Sequence, residues 1–213
     1  MLRSAAIAIA LSIGLGACTS VANVKSTTVK FTKPPAGATV LVMKPDITLA
    51  VLTASGVTEP RADWIASATA NLQSTRGNTA SGTVRFVQNG DKVQVTGEVK
   101  GLKPGAEHGF HVHEKGDCSS GDGMSTGGHF NPTTTAHGQH GQGAHHVGDL
   151  PSLKADAQGV AKIDFTSTTL TLKPGTTSIM DKGLIVHRDP DDYKTQPTGN
   201  SGPRVACGVI RAS

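Results

Sequence analysis

The amino-acid sequence predicts an all-β fold: a Greek-key antiparallel β-sandwich or barrel, immunoglobulin-like in architecture, that carries two long functional loops. From Thr79 onwards, apolar residues recur at every second position in short runs, which is the period of a strand with one buried face. Turn-forming residues separate these runs. The chain has 26 glycines and only 3% aromatic residues, a mixture that favours strands with ordered loops over a helical bundle.

One hairpin is clear from the local pattern. Apolar residues alternate with polar ones on both sides of the turn Asn89-Gly90-Asp91; they are Val84, Phe86, Val93 and Val95. A short glycine-containing turn between two such runs is typical of a β-hairpin with one buried face. The other segments predicted as strands are 108–113, 155–172 (a second hairpin, turning at Gln158-Gly159), 184–187 and 205–210.

Two long connections are predicted to be functional loops. The stretch 117–150 is too rich in glycine for regular structure, and the stretch 188–203 is polar. Loops of this length are uncommon in a compact domain unless they serve a function. They stay ordered only when something ties them down, such as a metal ion or a disulfide.

The first residues predict export. Arg3 precedes the apolar run Ala5–Leu15, which is too short to span a bilayer and indicates a signal peptide over residues 1–17. The following Leu15-Gly16-Ala17-Cys18 resembles the lipobox of bacterial lipoproteins, in which the cysteine becomes the lipidated first residue of the mature chain. This resemblance implies a lipid anchor at Cys18 and a location in the periplasm, at the outer membrane because Thr19 rather than Asp follows. An ordinary secretory signal with an incidental cysteine is the alternative.

The predicted organisation continues with three further segments. Residues 18–35 are polar, end in Pro34-Pro35 and suit a tether. Residues 36–70 form an N-terminal extension to which no function is attached. Its apolar runs 38–43 and 47–52 predict two short strands, and Ala62–Leu72 predicts a short helix. The main domain then occupies residues 71–213.

Cysteine and charge add two constraints. If Cys18 is lipidated, Cys118 and Cys207 remain as an even pair in an oxidising compartment, so one disulfide between them is expected. The formal net charge is +4, but no basic stretch is interleaved with aromatic residues, which argues against nucleic-acid binding. A mildly positive protein favours small anions if its field is focused at a site.

The histidines are concentrated in one region. Eight of the nine lie between residues 108 and 149; they are His108, His111, His113, His129, His137, His140, His145 and His146, and the ninth is His187. A neutral imidazole is the commonest protein ligand for metals and suits both zinc and copper. Loosely metal-binding, low-complexity His-rich loops are an alternative. However, His111-Val112-His113 places two imidazoles on one face of a strand, an arrangement that a disordered tract does not need.

Four motifs resemble those of the bacterial secreted copper/zinc superoxide dismutases, and the match runs in order over roughly residues 75–213. The motifs are GFHVH (109–113), GGHFNP (127–132), HVGDL (146–150) and GNSGPRVACGVI (199–210). The resemblance implies copper bound by His111, His113, His129 and His187. It implies zinc bound by His129, His137, His146 and Asp149, with His129 shared by both metals. It also implies the disulfide Cys118–Cys207.

The loop histidines leave alternatives within this scheme. His140 competes with His137 for zinc, and His145 lies directly beside His146. The family's spacing favours His137 and His146, so His140 and His145 are expected to be exposed. Asp149 is the only carboxylate between Asp122 and Asp156, which supports its place as a zinc ligand. His108 is expected to serve as a structural hydrogen-bonding group under the copper strand.

Two further residues complete the implied site. Asp191 matches the family position that links a copper histidine, here His111, to a zinc histidine, here His137. Arg204 matches the arginine that guides the anionic substrate, superoxide, towards copper. The implied reaction converts superoxide to oxygen and hydrogen peroxide by a redox-cycling copper, with His129 carrying a proton. This activity would protect the cell envelope.

Two other functions compete with the enzyme. A copper carrier would use similar ligands but would need neither Arg204 nor a shared histidine. A purely structural or adhesive sandwich domain would need neither the four copper histidines nor Asp191. The sequence leaves open whether the protein is a monomer or a homodimer.

Overall fold

The computed structural model describes residues 67–213 and, before them, the backbone of two short strands. Strand β1 (Val40–Val42) pairs antiparallel with strand β2 (Ala50–Leu52), which is consistent with the two apolar runs of the N-terminal extension. The predicted signal peptide (1–17), Cys18 and the tether (18–35) lie outside the described residues. In the described part, no helix has the length and apolar character needed to cross a membrane.

Seven antiparallel strands of residues 67–213 form one curled sheet, which confirms the all-β prediction. They are β3 (Ser67–Ser74), β4 (Ser81–Asn89), β5 (Lys92–Lys100), β7 (Phe110–His113), β9 (Ala161–Ser167), β10 (Gly183–His187) and β11 (Arg204–Ala212). Their order is β7-β10-β11-β3-β4-β5-β9. Strands β6 (Glu107–His108) and β8 (Leu153–Lys154) pair with each other, and a short 3-10 helix spans Met124–Thr126.

The predicted hairpin anchors the core of this sheet. Strands β4 and β5 pair throughout, with Asn89 opposite Lys92 and Gly90-Asp91 as the connecting turn. Gly90 has a φ of 60°, a left-handed conformation that glycine adopts without strain. The inward side chains of both strands, Phe86 and Val95 among them, are fully buried. Burying a side chain of this size contributes about 1.5–3 kcal/mol, so alternation in the sequence directly produces the core.

Two predictions about the elements are wrong. The part of the predicted helix Ala62–Leu72 that the structure describes is strand β3, which begins at Ser67 and buries Ala68, Ala70 and Leu72 on one face. The domain boundary at residue 71 therefore falls inside a strand of the sheet. The segment 155–172 does not form a hairpin. A turn does lie at Gln158-Gly159, but β9 pairs with β5, and β8 pairs with β6.

The first long loop folds back onto strand β7, which brings the chemistry together. The Val112 amide donates a hydrogen bond to the Gly148 carbonyl (2.8 Å), and the Phe130 amide donates to the Val112 carbonyl (2.8 Å). These contacts place His129 opposite His113 and Asp149 opposite His111. The disulfide between Cys118 and Cys207, whose Cα atoms lie 5.9 Å apart, ties the start of the loop to β11 and confirms the predicted pairing.

Candidate metal centre

Four buried histidines converge at the end of strands β7 and β10; they form the all-histidine cluster, His111, His113, His129 and His187. Alternation along β7 turns His111 and His113 to the same face. Strand β10 pairs with β7 and ends at His187, and the first loop adds His129. One ring nitrogen from each of the four lies within 4.8 Å of those of the others.

His113 and His187 are oriented by backbone carbonyls. His113 donates from Nδ1 to the Gly127 carbonyl (2.9 Å), and His187 donates from Nδ1 to the Gly202 carbonyl (3.0 Å). Because a carbonyl oxygen only accepts, each ring carries its proton on Nδ1 and presents a lone pair on Nε2. These two Nε2 atoms lie 3.4 Å apart. Two lone pairs that face each other repel. A cation between them would be bound by both nitrogens, which would remove the repulsion.

The other two histidines also have a free ring nitrogen. Nδ1 of His111 and Nε2 of His129 are buried and have no hydrogen-bond partner among the described residues. Leaving a buried polar atom unpaired costs about 1–3 kcal/mol. These two nitrogens, together with the opposed Nε2 atoms of His113 and His187, form an all-imidazole donor set suited to copper.

A second group of buried residues, the carboxylate cluster, comprises His129, His137, His146 and Asp149. Three imidazole Nδ1 atoms surround one oxygen, Oδ1 of Asp149, at 2.9 Å (His129), 3.1 Å (His137) and 3.2 Å (His146). One carboxylate oxygen has about two lone-pair sites, so it cannot accept three good hydrogen bonds. Three imidazoles and one carboxylate instead fit the tetrahedral ligand set of zinc.

The other oxygen of Asp149 fixes the carboxylate in place. Oδ2 accepts the backbone amides of His146 (2.8 Å) and Gly138 (3.2 Å). His129 belongs to both clusters, because its Nδ1 faces Asp149 while its unpaired Nε2 faces the other three histidines. One imidazole therefore joins the two donor sets.

Asp191 forms a second link between the clusters. His111 donates from Nε2 to Oδ2 of Asp191 (2.7 Å), and His137 donates from Nε2 to Oδ1 (2.9 Å). The Tyr193 amide also donates to Oδ1 (2.7 Å). A carboxylate that accepts the outer N–H of a ligand histidine fixes the tautomer and the ring orientation.

Electrostatics differ between the two clusters. Burial, reinforced by neighbouring imidazoles, lowers the pKa of His129 to about 4 and that of His187 to about 3. Burial likewise lowers the pKa values of His111 and His113. These rings are therefore neutral at pH 7 in the metal-free protein, which is the protonation state that a metal requires.

His137 behaves in the opposite way. Burial favours its neutral form, but the carboxylates of Asp149 and Asp191 outweigh burial and raise the pKa of His137 to about 9. Burial likewise favours protonation of the two carboxylates, and contacts with the surrounding imidazoles overcome it and keep both of their pKa values low. In the metal-free protein, His137 is therefore protonated, and its positive charge offsets the negative charge of the two carboxylates.

Arg204 lies opposite His187 across strands β10 and β11 and is held by the first loop. Its guanidinium donates to the Gly123 and Gly127 carbonyls and to the Thr126 hydroxyl (3.0 Å). The Gly127 carbonyl also accepts the Nδ1 proton of His113, so one backbone atom positions both the arginine and a cluster histidine. Arg204 is only partly buried, which leaves a positive charge beside the all-histidine cluster.

Three histidines belong to neither cluster. His108 is buried and donates from Nδ1 to the His187 carbonyl (2.9 Å). His140 and His145 were expected to be exposed, and this expectation is wrong: both are half-buried. Each donates from Nδ1 to a backbone carbonyl of the carboxylate cluster, His140 to Asp149 (2.9 Å) and His145 to His146 (2.7 Å). The loop is therefore folded more tightly than its glycine content suggested.

Sequence reasoning missed Gln196 and Gly199. The Gln196 side chain accepts the His137 amide (2.8 Å) and donates to the His137 carbonyl (3.0 Å), so it pairs with this backbone as a strand would. Gly199 has a φ of 66°, and a Cβ atom there would collide with both Asp191 and His137. No local pattern marks a loop glutamine as the partner of a residue 59 positions away. The GNSG sequence could have signalled a close backbone approach at Gly199.

Comparison with known proteins supports the chemistry of these donor sets. The family profile described as copper/zinc superoxide dismutase (SODC) matches residues 80–210. The chain is 43% identical over 146 residues to a Cu-Zn superoxide dismutase of Onchocerca volvulus, covering 63% of this chain and 90% of the relative. It is 42% identical over 157 residues to an extracellular Cu-Zn superoxide dismutase of Brugia pahangi, covering 70% of this chain and 77% of that protein.

A solved structure shares the fold. The crystal structure of the clock protein EA4 superimposes with a TM-score of 0.64 at 40% identity, covering 70% of this chain and 96% of EA4. The cofactors of the matched family are copper and zinc, for which the two clusters provide suitable ligands. The enzymatic activity shared by its named relatives is superoxide dismutation. Because the sheet, the two clusters and these matches agree, the chain belongs to the copper/zinc superoxide dismutase family.

Proposed function

We propose that this superoxide dismutase holds copper in the all-histidine cluster and zinc in the carboxylate cluster, with His129 bound to both. The observation that carries the assignment is the opposed placement of the two ring nitrogens of His129. Nδ1 lies 2.9 Å from Asp149, and Nε2 is buried without a partner on the side of His111, His113 and His187. A copper carrier has no use for a histidine shared in this way.

The donor sets assign the metals. Copper is suited by imidazoles alone, whereas zinc is bound by imidazoles together with a carboxylate in tetrahedral sites. When bound, copper supplies the one-electron redox chemistry, and zinc supplies a fixed positive charge. Overall, two superoxide anions and two protons give one oxygen and one hydrogen peroxide, which balances atoms and charge.

His129 handles a proton in this scheme. Its Nδ1 is fixed on the side of Asp149, so only Nε2 can change partners. Burial and neighbouring imidazoles lower the pKa of His129 to about 4 in the metal-free site, so the ring is neutral at pH 7 and Nε2 offers a lone pair. His129 thus combines a fixed orientation with one ring nitrogen directed at the all-histidine cluster, from which a proton could be passed to the substrate.

Arg204 attracts and positions the substrate. Its charge stands beside the all-histidine cluster, and its hydrogen bonds to three loop groups hold it there. A fixed positive charge next to a site raises the arrival rate of a small anion, and salt screens this effect.

Pulse radiolysis tests this proposal. The mature chain, loaded with copper and zinc, is expected to accelerate superoxide decay, and added salt is expected to slow it. Arg204→Gln is expected to bind both metals normally while decay becomes about tenfold slower and loses much of its salt dependence. Arg188→Gln is the matched control, because Arg188 pairs with Asp189 on the surface. A chain that binds copper but does not accelerate decay would instead be a copper carrier.

We also propose that the enzyme acts in the periplasm, anchored to the outer membrane through a lipid on Cys18, and protects the cell envelope from superoxide. The signal-like residues 1–17, the lipobox-like sequence and the polar tether of residues 18–35 support this. Metabolic labelling with a radioactive fatty acid is expected to label the parent chain but not Cys18→Ser. Equal labelling of both chains, or of neither, would contradict the anchor.

A further inference from the structure

The histidine-rich loop contains a pair of imidazoles that neither metal cluster uses. His140 and His145 are both half-buried, and their ring centroids lie 5.2 Å apart. The proposed function assigns them no role. Their hydrogen bonding nevertheless resembles that of two residues in the all-histidine cluster.

The matching residues are His113 and His187. In both pairs each imidazole donates from Nδ1 to a backbone carbonyl, at 2.9 and 3.0 Å in the cluster pair and at 2.9 and 2.7 Å in the loop pair. This leaves Nε2 as the ring nitrogen with the lone pair in all four residues. The centroids of His113 and His187 lie 5.5 Å apart, and those of His137 and His146 in the carboxylate cluster lie 5.4 Å apart. The ring centroids of the loop pair therefore lie about as far apart as those of two ligand pairs in the same protein.

Among the described residues, the Nε2 lone pairs of this loop pair have at most one weak partner. Nε2 of His140 has no hydrogen-bond partner within the described part of the chain, and Nε2 of His145 accepts only the Gly141 amide at 3.3 Å, a long hydrogen bond. A cation could replace that weak contact. Half-burial also leaves room for water to complete the coordination of a metal ion.

We propose that His140 and His145 form an accessory site for a divalent cation that prefers imidazole, such as zinc or copper(II). Two imidazoles and water make a weaker site than four protein ligands do, so this site fills after the two clusters. His140 is bonded to the backbone of Asp149, and His145 to that of His146. An ion at the accessory site therefore braces the backbone of two residues of the carboxylate cluster.

The proposal is tested on mature protein already saturated with copper and zinc, with the copper reduced so that it is diamagnetic. Zinc is titrated in while the imidazole nitrogens are observed by proton–nitrogen NMR. The Nε2 resonances of His140 and His145 are expected to shift together, and those of the cluster histidines to remain in place. Absence of any shift at these two nitrogens would overturn the proposal, whatever the activity of the enzyme.

Equilibrium dialysis against micromolar free zinc provides the stoichiometry. The parent is expected to bind one ion beyond copper and zinc, and His140→Gln and His145→Gln are each expected to lose that ion. Gln142→Ala, an exposed change in the same loop, is the matched control and is expected to retain it. An additional ion that survives in both histidine variants would place the site elsewhere and refute the assignment. Failure of the copper and zinc assignment would instead appear as altered binding of the first two ions.

Discussion

The two clusters share a histidine yet are built in opposite ways. Three of the four residues of the all-histidine cluster lie on strands β7 and β10, which pair with each other. Apart from the shared His129, the carboxylate cluster lies between residues 137 and 149, where regular structure is absent from the described loop. Backbone pairing with β7 places Asp149, and the two loop histidines depend on side-chain contacts from Asp149, Asp191 and Gln196. One cluster is therefore positioned mainly by paired strands, and the other mainly by a loop that polar contacts hold against the sheet.

This difference indicates that the two clusters depend on their metals to different degrees. The sheet keeps neutral imidazoles together although their lone pairs face one another, so the all-histidine cluster is preorganised for its metal. The carboxylate cluster holds excess negative charge, which a proton on His137 offsets when metal is absent. We expect the loop to depend on its cation for order and the strands to be largely independent of theirs.

The largest expected effect comes from removing the shared residue. His129→Ala is expected to reduce superoxide decay about 1000-fold while copper remains bound, because the proton donor and the link to the carboxylate cluster are both lost. Pulse radiolysis, combined with metal analysis of the same sample, measures this. Turnover at the parent rate with copper present would show that the clusters work independently.

The disulfide tests how strongly the loop depends on its anchor. Cys118 and Cys207 are 89 positions apart, so replacing both with serine is expected to destabilise the fold by about 4 kcal/mol. Because the bond ties down the loop and not strands β7 and β10, zinc retention should fall more than copper retention. Urea unfolding and dialysis against a chelator measure the two effects. An equal loss of both metals would contradict the comparison.

Substitutions at Asp191 and Gln196 distinguish the metal affinity of one cluster from that of the other. Asp191 contacts the side chains of His111 and His137, whereas the Gln196 side chain contacts only backbone, that of His137 and that of Lys194. Asp191→Ala is expected to weaken the affinity for both metals, on the order of 10–100-fold. Gln196→Ala is expected to weaken zinc affinity about tenfold and to leave copper affinity unchanged. Competition with metal chelators gives both constants, and an equal copper defect in the two variants would break the distinction.

The last expected effect is the pH dependence of the metal-free protein. His129 and His187, with folded pKa values of about 4 and 3, bind protons more readily when unfolded, so stability falls as the pH drops below about 6.5. His137 has a raised folded pKa of about 9, so its contribution is complete below about 6.5 and is lost as the pH rises through 9. Each group changes the slope of the free energy of unfolding against pH by at most about 1.4 kcal/mol per pH unit.

Urea unfolding of the metal-free chain between pH 4 and 10 is the measurement, with His137→Gln as the control. The variant is expected to lose the alkaline decline and to keep the acid decline. If the alkaline decline persists in the variant, another group causes it, and the charge balance inferred for the carboxylate cluster is wrong.

The fold was predictable wherever local pattern and long-range pairing agree. Asn89-Gly90-Asp91 joins two alternating runs that pair with each other, and the hairpin is confirmed. Ser67–Ser74 overlaps the alanine-rich segment Ala62–Leu72 that was predicted as a helix, but its pairing with β4 and β11 overrides that propensity. The prediction of a hairpin over residues 155–172 was wrong for a similar reason. Its strand pairs with β5, some 70 residues away in the chain, and local alternation cannot reveal that partner.

The residues of the site likewise divide into those that local sequence could predict and those that it could not. His111 and His113 could be paired from the sequence because strand geometry alone puts them on one face. The grouping of His129 with Asp149 followed from family motifs, whereas Gln196 carried no signal because its role depends on how two loops meet. His140 and His145 were expected to be exposed because the family's spacing gave them no ligand role, and the sequence does not reveal how closely the loop folds on itself. Their carbonyl contacts become visible only in three dimensions.

Anomalous X-ray diffraction at the copper and zinc absorption edges tests the central claim most directly, using a crystal of the mature chain loaded with both metals. The account predicts a copper peak among His111, His113 and His187 and a zinc peak beside Asp149, each within bonding distance of a different nitrogen of His129. Metals in the reverse positions, or a His129 bound to only one of them in the oxidised protein, would contradict it.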